Sequence, residues 1–127
     1  MTDTRPLVSV VDDDESVREA LPDLLRELGL AVQAFSSAEE FLASGRVEET
    51  RCLVLDIAMP GMTGPDLQAE LTRRRHEIPI IFITAHGAET IRPHVIEQRA
   101  VQLLFKPFSE TALLEALEAA MPTVDIG

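Results

Sequence analysis

The chain has no tryptophan, no tyrosine and a single cysteine, Cys52, in 127 residues. One thiol allows no internal disulfide and no cysteine-based metal cage. Its place in an apolar run predicts an inert core thiol. Basic residues are scarce: 11 Lys and Arg stand against 22 Asp and Glu, a net charge of −11. A surface of that sign repels phosphates and argues against direct nucleic-acid binding by this chain. It leaves room for a cation site, which clustered carboxylates favour. No stretch is long and apolar enough to span a bilayer. Residues 1–6 lack an apolar signal segment. The expected compartment is the cytoplasm, with no membrane partner. What remains is an ordinary globular composition, 46% apolar and 26% charged, enough for one domain with a real core.

The most informative stretch runs from Arg51 to Gly61. Four apolar residues, Cys52 to Leu55, lead straight into Asp56, and Pro60 and Gly61 then stop regular structure. A short apolar run bounded by turn residues reads as a buried parallel strand. Asp56 then sits at the strand's carboxyl end, where open α/β sheets bind ligands. Taken alone, it could equally open a turn.

The rest of the chain repeats this alternation. Leu7 to Val11 is a β-branched run ending in Asp12, Asp13 and Asp14. A helix follows from Glu15 to Leu28, capped by Asp14 and stopped by Gly29. Pro22 lies inside it, a cost of about 3 kcal/mol that packing must override. Leu30 to Phe35 reads as an edge strand. Ser37 to Glu40 is a capping-box pattern opening a short helix that closes near Gly45. After the Asp56 strand, Gly64-Pro65-Asp66 opens a helix with Leu67 and Leu71 on its buried stripe. Arg73 to Arg75 complement that helix's dipole as a solvated end. Ile78 to Ile83 is a fourth strand, followed by Thr84 and Ala85. A fourth helix over 88–98 is weakly written, because Pro93 interrupts it and Arg99 replaces a glycine stop. Ala100 to Phe105 is the fifth strand, closed by Lys106-Pro107. Ser109 caps a last helix with Leu113, Leu117 and Met121 on one face. Five strands alternating with five helices predict an α/β fold, a parallel sheet covered on both faces by right-handed crossovers.

Four strand ends deliver polar groups to one edge: Asp12 and Asp13, Asp56, Thr84, and Lys106. Three carboxylates together call for a cation at neutral pH. Oxygen-only ligands suit Mg²⁺, with Mn²⁺ as the alternative. An ammonium and a hydroxyl beside them describe a site for phosphoryl transfer to a carboxylate. Singly, Thr84 and Lys106 would be ordinary strand-end residues and Asp14 a helix cap. His76, His86 and His94 are scattered and read as surface residues, with His86 at the pocket mouth. Met59 and Met62 read as loop packing.

Val11 to Asp14, Leu55 to Gly61, Ile83 to Ala85 and Phe105 to Phe108 resemble the receiver domain of two-component response regulators. The resemblance covers about residues 7–121. Its flavour is that of receivers preceding helix-turn-helix outputs of the nitrogen-fixation and nitrate-regulator type. It implies a flavodoxin-like doubly wound sheet of strand order 2-1-3-4-5. The expectation is one receiver domain over 1–127 with no output domain present, either a stand-alone regulator or a receiver cut from a longer protein. Asp56 matches the phospho-acceptor, which takes a phosphoryl group from a sensor histidine kinase. Asp13 matches the main Mg²⁺ ligand, with Asp12 helping to hold the ion and its waters. Asp56 and the Ala58 backbone carbonyl complete the metal set. Lys106 matches the lysine that pairs with a phosphoryl oxygen, Thr84 the switch hydroxyl, and the Ala85 N–H a further donor. A cis peptide at Lys106-Pro107 is also implied. Dimerisation on phosphorylation is left open.

Leu103 departs from the pattern, since many receivers carry an aromatic residue three positions before the lysine. With Pro93 and Arg99, it predicts intact phosphorylation and an altered readout at the fourth helix. Two other readings remain. A haloacid-dehalogenase-like phosphatase needs a second acid two residues after the nucleophile, where this chain has Ala58. A stand-alone, non-phosphorylated interaction module would leave the filled acceptor positions without a use. The expectation is therefore a signalling acceptor and not an enzyme.

Overall fold

The computed structural model describes residues 5–85, 101–122, 124 and 126. Strands β1 (Leu7–Val11), β2 (Ala31–Phe35), β3 (Thr50–Asp56), β4 (Ile80–Thr84) and β5 (Val101–Phe105) form one parallel sheet of order β2-β1-β3-β4-β5. Among the described residues the helices are α1 (Glu15–Glu27), α2 (Ala38–Ala43), α3 (Gly64–Arg73) and α4 (Glu110–Ala120).

Residue alternation along the strands builds two cores. Val8, Val10, Cys52, Val54, Ile81 and Ile83 face Leu21 and Leu25 of α1 and Leu113 and Leu117 of α4. Val11, Leu53, Leu55, Ile80 and Phe82 face Phe41 of α2 and Leu67 and Leu71 of α3. Side chains of a strand point alternately to opposite faces, so an unbroken apolar run serves both cores. Each fully buried Leu, Ile or Phe contributes roughly 1.5–3 kcal/mol against exposure. Cys52 belongs to the first core, where burial pushes its thiol up to about 12. Pro22 is buried inside α1. The Lys106-Pro107 peptide is cis.

The caps explain where the helices begin. Asp14, Ser37 and Ser109 each accept a backbone N–H of the first turn. Thr63 and Asp66 form a full capping box on α3, a pairing the sequence reading missed. Strand β4 starts at Ile80, not Ile78. Pro79 has no N–H to give a ladder, although its carbonyl still accepts from Leu53 at 2.9 Å. Met121 is buried, but it lies at the C-cap of α4, past the helix. The expected helix over 88–98, with Pro93, His86, His94 and Arg99, lies outside the described residues.

Candidate functional site

A parallel sheet brings every strand's carboxyl end to one edge. There β1 delivers Asp12 and Asp13, β3 delivers Asp56, β4 ends in Thr84, and β5 runs into Lys106. Asp13, Asp56, Ala58, Thr84, Ala85 and Lys106 line an open cleft of about 580 Å³, floored also by Ile57, Thr63 and Pro65. Asp12 is fully buried beside it.

Carboxylate oxygens of Asp12, Asp13 and Asp56 all lie within 4.8 Å of one another. Asp12 is held on every side. Its N–H donates to Phe35 O at 3.1 Å, and its carbonyl accepts from Arg18 Nη1 at 2.9 Å. Its Oδ1 accepts from Asp14 N at 2.9 Å. Lys106 Nζ stands 2.9 Å from its Oδ2. That approach is ionic and off a hydrogen-bond direction, so this buried oxygen keeps an unused lone pair. Asp13 is exposed and Asp56 is 5% exposed.

The electrostatics follow from that crowding. Burial pushes the Asp56 carboxyl up to about 7, and the Asp12 charge adds to the rise against the pull of Lys106. Burial alone would lower the Lys106 ammonium, but Asp12 and Asp56 more than offset it and hold it above its ordinary value. Oxygen-only ligands, an unused buried lone pair and a carboxyl whose charge is costly fit a hard divalent cation.

Asp14 is not part of the cluster; its Oδ1 accepts from Ser16 N at 2.9 Å as a helix cap. Leu103 is half-buried against the α2–α3 core. His76 is partly exposed, and its N–H donates to Leu71 O, which ends α3's backbone path. Met59 and Met62 pack in the loop as expected. Sequence reasoning missed how that loop is braced. Glu39 of α2 accepts from Met62 N at 3.3 Å, and Gly64 N donates to Ile57 O at 3.0 Å. No local pattern announces either contact, since 23 residues separate the first pair.

The family profile described as the response regulator receiver domain matches residues 8–118. Nodulation protein W of Bradyrhizobium diazoefficiens is 47% identical over 117 residues, 92% of this chain and 52% of that protein. Transcriptional regulatory protein FixJ of Azorhizobium caulinodans is 38% identical over 90% of this chain and 54% of its own length. The chain thus spans about half the length of these curated relatives. Among solved structures, response regulator StyR superposes with a TM-score of 0.86 at 48% identity, covering 94% of this chain and 60% of that one. The crystal structure of FixJ-N gives 0.81 at 36% identity, with 98% of both chains covered.

Proposed function

Because the chain belongs to the response regulator receiver family of two-component signalling, we propose that Asp56 accepts a phosphoryl group from a sensor histidine kinase. The observation that carries this is the trio of carboxylates, oxygens within 4.8 Å, two of which, Asp13 and Asp56, line a cleft together with Lys106. Asp13, Asp56 and the Ala58 carbonyl would hold Mg²⁺, with Asp12 steadying its waters. When bound, the ion supplies positive charge for the carboxylates and for phosphoryl oxygens.

In the transfer, an Asp56 carboxylate oxygen attacks phosphorus. The P–N bond to the donor imidazole breaks, and the ring nitrogen keeps the electron pair. The product is an acyl phosphate on Asp56. Lys106 leaves Asp12 to pair with a phosphoryl oxygen. The Thr84 hydroxyl and the Ala85 N–H donate to the same group. The acceptor turns over once per phosphoryl group received and is a switch, not an enzyme acting on a stream of substrate. The relative FixJ, named a transcriptional regulatory protein, supports a longer protein whose output is transcription.

Incubation with acetyl phosphate and Mg²⁺ tests the reading without a kinase. One phosphoryl mass gain is expected, absent in Asp56→Asn. Consumption of many equivalents would make the protein a phosphatase, and no gain would make it an inert module.

A further inference from the structure

Gly64, the first residue of α3, is buried. Its φ is outside the left-handed region, so its backbone shape does not call for glycine. Space does. A Cβ there would lie 2.5 Å from the carbonyl oxygen of Asp56, 3.0 Å from Ile57 Cα and 3.1 Å from the Phe82 ring. The first two are backbone atoms, which cannot swing aside. The Ile57 peptide is pinned from both sides, its N–H donating to Ile83 O at 3.0 Å and its carbonyl accepting from Gly64 N at 3.0 Å. Ala58 is the next residue. The helix therefore closes the 57–64 loop by pressing directly on the peptide of the acid at the strand's end.

We propose that Gly64 is a positioning residue for the acceptor site. The missing side chain lets α3 seat against the Asp56–Ile57 backbone and so fixes where the Asp56 carboxylate and Ala58 carbonyl point. This rests on the reading of Asp56 as acceptor. The residue touches no substrate; it acts through the peptide it abuts. A methyl at 64 forces α3 outward and frees that peptide, and displaced supports typically cost metal sites 10–100-fold in affinity.

The test compares wild type, Gly64→Ala and Leu71→Ala. Leu71 is buried on the same helix, far along from the loop, and its truncation lowers stability by cavity formation. Calorimetric Mg²⁺ titration and the rate of labelling by acetyl phosphate are read at a temperature where each variant is folded. Gly64→Ala is expected to raise the Mg²⁺ half-saturation about tenfold or more and to slow labelling. Leu71→Ala is expected to melt earlier and keep both values. A Gly64→Ala protein within twofold of wild type on both overturns the proposal, as does an equal shift in Leu71→Ala. Should Gly64→Ala fail to fold, the wild-type Gly64 amide resonance decides. It is expected to follow Mg²⁺ with the half-saturation of the Asp56 and Ile57 amides, and an unmoved resonance overturns the proposal. If wild type takes no phosphoryl group, the acceptor reading fails, while the Mg²⁺ comparison still decides the role of Gly64.

Discussion

At the scale of the residue, Asp56 is caught between burial and function. The fold raises its carboxyl from 3.8 to about 7, first by desolvation and then by the charge of Asp12. A folded-state value above the unfolded one means the native protein holds a proton that the unfolded chain releases. Its contribution to stability is therefore fully present below about 3.8 and lost as pH rises through about 7. In chelator, the melting temperature of wild type should fall between pH 5 and pH 8 more steeply than that of Asp56→Asn. Parallel pH profiles for the two proteins would refute the assignment. The position of this residue was legible because an apolar run pointed at it. Its environment was not, because Asp12 and Lys106 reach it only through the sheet. Lys106 illustrates the difference: the sequence placed it at the site, but only the fold shows its ammonium resting on Asp12 at 2.9 Å.

At the scale of the element, local chemistry was the most readable part. Asp14, Ser37 and Ser109 are caps that precede helical periodicity, and each cap bond is present. The Ser109 hydroxyl accepts from Ala112 N at 3.0 Å at the start of α4, whose Leu113 and Leu117 close one core. Ser109→Ala removes that acceptor and should lower stability by about 1 kcal/mol in denaturant unfolding, with the slope unchanged. A loss below a few tenths would mean that packing alone holds the helix start. Boundaries were less readable where one residue type serves two purposes. Pro79 sits in an apolar run yet cannot donate to a ladder, so β4 begins after it. The helix start at Gly64-Pro65-Asp66 was readable, but its capping box was not, because the cap Thr63 lies one residue before the Gly-Pro pair that marks the opening. Gly64 itself reads as a helix opener in sequence, and its contact with the Asp56 carbonyl depends on how α3 lies on β3.

At the scale of the whole molecule, a net charge of −11 sets a general repulsion on which the site imposes a local one. Added salt screens the first by ionic strength alone. A cation held by the carboxylate trio does something salt cannot, since binding the native state only stabilises it by mass action, roughly 2.7 kcal/mol at a hundredfold excess over the dissociation constant. The two effects separate in melts with MgCl₂ and with NaCl at matched ionic strength. Wild type should gain more from MgCl₂. Asp13→Asn removes the negative charge of the exposed acid proposed as a ligand without opening the core, and it should gain equally from either salt. An Asp13→Asn protein that keeps the full magnesium excess would remove Asp13 from the ligand set and leave the cluster as a mere concentration of like charges. The order of the sheet is what makes this a fair test. Parallel strands in the order β2-β1-β3-β4-β5 put β1 and β3 side by side, so acids 43 positions apart in sequence, Asp13 and Asp56, share one edge. A single neutral substitution at that edge then changes the site and leaves both cores as they were.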